Sequence, residues 1–166
     1  ISYFGNQKII NQLDILYKNE KLNSTLLFNG SFGLGKATLA FRYSNYILNQ
    51  ETEKFAFFTI KNNKITNQIK KNVHPDLIYI SNKDQDNSTH EIKIDQIRAL
   101  KSKLISKTLN GTNRIVIIDP LESLNKSSFN SLLKILEEPP LKTLFILICN
   151  QINKIPDTIL SRSIKF

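Results

Sequence analysis

Four apolar runs constrain this chain more than any other feature: Thr25 to Phe28, Leu77 to Ile80, Ile115 to Ile118 and Leu144 to Cys149. A strand with one wet face alternates apolar and polar residues, whereas a strand covered on both faces does not. These runs do not alternate, so each is predicted to be a strand buried inside a parallel sheet, and Ser163 to Phe166 is placed to begin a fifth. Between the runs the spacing becomes helical. Leu39, Tyr43, Tyr46 and Ile47 fall at i, i+4, i+7 and i+8, one stripe of a helix that opens at Lys36. Phe129, Leu132, Leu133 and Leu136 repeat the pattern behind a candidate N-cap at Asn125, and Pro139 with Pro140 stops it. Alternating strands and helices predict an α/β domain with a five-stranded parallel sheet flanked by helices.

A chain of 166 residues suffices for one core, so residues 1–166 are expected to form one domain. It contains no Met and begins at Ile1, from which a domain of a longer chain is expected. Asn49 to Asn72 is rich in Lys and Asn, with FAFF at 55–58 as an apolar island, and reads as an insertion or an irregular helix. Lys83 to Thr89 reads as a solvated loop.

The stretch GSFGLGKAT at 30–38 carries the most chemistry. Gly30, Gly33 and Gly35 lie between a predicted strand and a helix opening at Lys36, the context in which backbone N–H groups converge on a phosphate at the positive end of a helix. Thus ATP or ADP is a candidate ligand. Hydrolysis asks for more. The Ser or Thr that normally follows the lysine holds Mg²⁺ through its hydroxyl, and here that residue is Ala37. Thr38 is one step further on, rotated by about 100°. Magnesium is therefore expected to be held weakly. A second apolar strand, IVIID at 115–119, delivers Asp119 to the metal side, but Pro120 stands where a catalytic glutamate would polarise water. Losing a positioned base costs on the order of 10² to 10⁴ in rate. Glu122 is a possible substitute and otherwise reads as a solvated acid near the start of the next helix. Efficient ATP hydrolysis by this chain alone is not expected.

Charge says less. The chain has 23 basic and 14 acidic residues, a net +9, but only Arg42, Arg98, Arg114 and Arg162 are arginines. Lysine combined with abundant Asn and Ile is what an AT-rich genome imposes, so a nucleic acid or nucleotide partner is compatible with the charge without following from it. The single cysteine, Cys149, lies inside an apolar run and reads as a buried structural thiol, which allows no disulfide or Cys-based zinc site within the chain. No apolar run approaches the roughly 18 residues of a membrane span, and a reducing cytoplasm is the expected setting.

The run NSLLKILEEPPLKTLFILICN at 130–150, TILSRS at 158–163 and HPD at 74–76 together resemble the clamp-loader branch of the AAA+ ATPases, and within it the delta prime type of bacterial DNA polymerase III. The resemblance runs from Phe4 and Gly5 to Phe166. It implies an AAA+ fold, with the helical lid and collar domain outside residues 1–166, and a subunit of a polymerase whose nucleotidyltransferase activity resides elsewhere. Other loader subunits in a hetero-pentamer, a sliding clamp and primer-template DNA are the implied partners. Ser161 and Arg162 match the first two residues of an SRC motif, whose arginine is presented in trans to a neighbour's ATP, and Ser163 stands where its cysteine would be. Asn150 matches the polar sensor position. Gly30, Gly33, Gly35 and Lys36 match the phosphate loop, and Asp119 the metal-side aspartate. Asn49 to Val73 lacks the four cysteines of the zinc module found in many relatives, so no zinc is expected there. The ATP-hydrolysing gamma or tau motor subunit of the same branch is the alternative reading. His74, next to Pro75, reads as a loop or cap residue, and Glu137 with Glu138 as shaping a helix end and a subunit contact.

Overall fold

The computed structural model describes residues 7–19, 24–55, 62–82, 90–108 and 112–166. The strands are β1 (Thr25–Asn29), β2 (Leu77–Ser81), β3 (Arg114–Asp119), β4 (Thr143–Cys149) and β5 (Ser163–Lys165). Helices α1 (Gln7–Lys18), α2 (Lys36–Leu48), α3 (Lys64–Lys70), α4 (Ile94–Ile105), α5 (Lys126–Glu137) and α6 (Asp157–Leu160) surround them. The sheet is parallel throughout, in the order β2-β3-β4-β1-β5.

Two cores explain why the strands do not alternate in polarity. Ile115 and Ile117 of β3 face one side, where Tyr43 and Ile47 of α2 and Leu13 of α1 pack. Val116 and Ile118 face the other, against Leu100 of α4 and Leu132 of α5. Every residue from Ile115 to Ile118 is wholly buried, so a polar residue at any of these positions would lose water without a partner.

The helix ends follow their sequence signals. Asn125 accepts a hydrogen bond from Ser128 N–H at 2.9 Å and starts α5, which stops before Pro139. Asn63 caps the short α3 in the same way, so the stretch 49–72 does contain a helix, of seven residues. Within FAFF, Phe55 is buried against Tyr43 and Tyr46; residues 56–58 and the predicted loop 83–89 lie outside the described residues.

HPD has a structural role. His74 Nδ1 accepts from Asp76 N–H at 3.2 Å, and burial holds this imidazole below its ordinary pKa, with Asp76 opposing. The Asp76 carboxylate is buried 3.7 Å from the Arg114 guanidinium, which also donates to Lys103 C=O and Ser106 Oγ. This group ties the starts of β2 and β3 to the end of α4.

Candidate functional site

In the sheet order β3, β4 and β1 are consecutive, so the loops leaving their C-terminal ends open side by side. The β1 loop is the glycine stretch. Gly35 sits at φ 70° and precedes α2 without a side-chain cap, and Gly33 at φ 83° makes the preceding bend. Both conformations are ones that L side chains resist. Uncapped first-turn N–H groups at such a helix start form a cradle that suits a phosphate.

The lysine of this loop is engaged by its own chain. Lys36 Nζ donates to Gly30 C=O at 2.6 Å, Ser31 C=O at 2.7 Å and Asn150 Oδ1 at 2.9 Å. An ammonium has three donors, and all three are used. Asn150, at the end of β4, is fixed in turn: its backbone N–H and its Nδ2 both donate to Glu122 Oε1, at 3.0 and 2.9 Å. Glu122 is thus a partly buried member of the site and not a solvated acid at the start of α5. It lies in the 3-10 turn Leu121–Ser123, directly after the cis Asp119–Pro120 bond. Burial holds the Lys36 ammonium below the usual lysine range, and the charges of Asp119 and Glu122 oppose that shift. The neighbouring Cys149 thiol is wholly buried and pushed up to about 11, by burial and by Glu122.

The metal side is short of oxygen. Ala37 packs with Phe41 and Tyr79 against the core, and the Tyr79 hydroxyl donates to Asp119 Oδ2 at 3.3 Å. Thr38 is exposed and, with Ala37, Arg42 and Lys70, lines a cavity of about 490 Å³ between α2 and α3. Magnesium requires near-octahedral oxygen coordination; a methyl group at position 37 and a phenol on the aspartate do not fit it. Among the described residues, no group of three or more His, Cys, Asp or Glu could hold a metal ion.

Arg162 is elsewhere. It directly precedes β5, whose Ser163 pairs with Thr25, the first residue of β1, whereas the glycine loop follows Asn29, the last. Four residue steps of strand separate these ends, about 13 Å, so Arg162 and Lys36 occupy opposite ends of the sheet. The Arg162 side chain is 40% exposed. Its NH1 donates to Thr158 C=O at 3.0 Å and its NH2 to Glu137 Oε1 at 3.3 Å. The predicted site residues therefore divide into one cluster, made of the glycine loop, Lys36, Asp119 and Asn150, an exposed Thr38 that lines the α2–α3 cavity outside that cluster, and one remote arginine.

Sequence reasoning missed the links Glu122–Asn150 and Glu137–Arg162, which span 28 and 25 residues. The one available signal for the first was Lys36 itself, since a buried ammonium needs acceptors and opposing charge.

Residues 5–166 match the family model described as DNA polymerase III, delta subunit. The DNA polymerase III subunit gamma of Buchnera aphidicola subsp. Schizaphis graminum is 30% identical over 162 residues, 98% of this chain and 42% of that protein. The delta' subunit of the same organism is 30% identical over 147 residues, 89% of this chain and 43% of that protein. The delta' subunit of Pseudomonas aeruginosa is 29% identical over 139 residues, 84% of this chain and 41% of that protein. The chain spans less than half the length of these relatives. Among solved structures, a DNA polymerase III gamma subunit-related protein of Thermotoga maritima shares the fold at a TM-score of 0.67 and 24% identity, covering 93% of this chain and 45% of that one. The RuvB Holliday junction branch migration motor of the same species shares it at 0.57 and 15%, covering 98% and 44%.

Proposed function

The chain belongs to the DNA polymerase III delta-subunit family, and from that premise we propose that it serves a clamp loader as a delta prime type subunit, with a degenerate nucleotide site of its own and an Arg162 that acts on ATP held by a neighbouring subunit. The observation that carries this reading is the separation of the two cations. Arg162 projects from the end of the sheet remote from its own phosphate loop, so any triphosphate it meets belongs to another chain. A guanidinium placed against a γ-phosphate stabilises the charge of the transition state, worth roughly 10³ to 10⁵ in rate for arginine fingers. The loop end supports the same reading from the other side. Its glycine backbone fits a phosphate chain, and we read ATP or ADP held there as bound and not turned over, because Ala37 and Pro120 occupy the two positions that turnover needs.

In this proposal the domain helps a pentameric motor open a sliding clamp and close it on primer-template DNA, with lysines of the +9 surface contacting phosphates. The test is the DNA- and clamp-stimulated ATPase of a reconstituted loader that carries the full-length chain or its Arg162→Ala variant. We expect a drop of tenfold or more while the complex stays assembled. Unchanged turnover would overturn the reading.

A second reading, the gamma or tau motor itself, is favoured by the 30% identity to a gamma subunit over 98% of the chain. Turnover of ATP by the isolated full-length chain, abolished by Lys36→Ala, would establish it.

A further inference from the structure

Glu137 is the last residue of α5, at the negative end of the helix, where a carboxylate is electrostatically unfavourable. Pro139 fixes that end, and Glu138 already leaves helical geometry at φ −130°, ψ 70°. What Glu137 meets there is Arg162, reached across 25 residues of sequence. A second brace comes from Thr158 C=O in α6. Carboxylate and carbonyl together occupy two of the five N–H donors of the guanidinium and point it from the start of β5 toward solvent. The pair is exposed on both sides, 40% for Arg162 and 51% for Glu137, and ion pairs in that setting contribute little to stability. Its physical consequence is orientation, since a long side chain with many rotamers is confined before any partner arrives.

We infer that Glu137 is a positioning residue for Arg162, holding the guanidinium in the direction from which it engages a neighbour's triphosphate. This rests on the trans-acting role of Arg162. A pre-set donor acts on the chemical step, where misplacement by about 1 Å can cost on the order of 10²-fold, and leaves ATP affinity almost unchanged. Glu137→Ala in the reconstituted loader is therefore expected to lower the stimulated kcat by about five- to tenfold, with the KM for ATP within about twofold. Glu137→Gln keeps one acceptor oxygen and is expected to fall between Glu137→Ala and the parent. Acting through the arginine has a sharper signature: in an Arg162→Ala background, Glu137→Ala should cause no further loss.

The experiment measures kcat and KM for the four members of that cycle and for Glu137→Gln, with assembly checked by native mass spectrometry. A loss for Arg162→Ala with none for Glu137→Ala overturns this inference and leaves the trans arginine standing. A further loss in the double variant shows that Glu137 acts independently and also overturns it. No loss for Arg162→Ala sinks both readings together.

Discussion

Lys36 and Arg162 are the two cations that sit in recognisable motifs, and the fold treats them in opposite ways. At the C-terminal end of the sheet Lys36 is 8% exposed, and its three donors are spent on Gly30, Ser31 and Asn150. At the N-terminal end the Arg162 side chain is 40% exposed and committed to one carbonyl and one carboxylate. The lysine belongs to a closed circuit, Lys36 to Asn150 to Glu122, in which each polar group answers another of the same domain. The arginine keeps most of its donors at the surface. A glycine loop therefore reports the path of the backbone, while the chemistry that a charge can perform depends on what already bonds it.

The largest expected effect lies at the same N-terminal end of the sheet as Arg162 but on its opposite edge, where β2 and β3 begin. Asp76→Asn leaves Arg114 buried without its counter-charge, and chemical denaturation should show a loss of about 3–5 kcal/mol; an unchanged midpoint would mean that the pair does not secure that end. Next comes the closed character of the loop end. A thiol held at about 11 in place of the ordinary 9 carries roughly 100-fold less thiolate at pH 8, so alkylation of Cys149 in the native protein, followed by mass, should be slower than in urea by at least that factor. The sign for stability follows from the same shift. The unfolded thiol ionises first, so the contribution of Cys149 is complete below pH 9 and is lost as pH rises through about 11, and Cys149→Ala should flatten that decline.

A smaller effect compares the two cations directly. In a reconstituted loader Arg162→Ala should reduce stimulated ATPase at least tenfold, and Lys36→Met should leave it within about twofold while lowering unfolding stability by about 1–3 kcal/mol, because acceptors lose their donor. Equal losses of turnover from both variants would erase the distinction. The smallest effect concerns α5, which runs from one region to the other. Asn125→Ala removes its cap and should cost about 1 kcal/mol in thermal or denaturant unfolding, with turnover unchanged.

The strands were legible because burial on both faces leaves no choice of residue type, and α5 because Asn125 and Pro139 mark its ends in sequence. The glycine loop was legible as well, since its bend depends on local backbone freedom. The order of the sheet was not: nothing in the apolar runs states that β1 lies between β4 and β5. The contacts that depend on that order were hidden with it. Glu122 reaches Asn150 because β3 and β4 are neighbours, and Arg162 lies away from Lys36 because β5 pairs with β1 from its first residue. Read in sequence, Glu122 looked like an acid near a helix start; in space it orients Asn150.

Parallel pairing in this sheet has a directional consequence. With every strand pointing the same way, the domain has a distinct head, where the glycine loop opens, and a distinct tail, where Arg162 projects. A two-fold dimer that meets end to end brings like surfaces together, head against head or tail against tail. Head-to-tail contact is heterologous, and it either closes into a ring or continues as an open spiral. The shared strand direction thus gives each domain a polarity that any such assembly inherits.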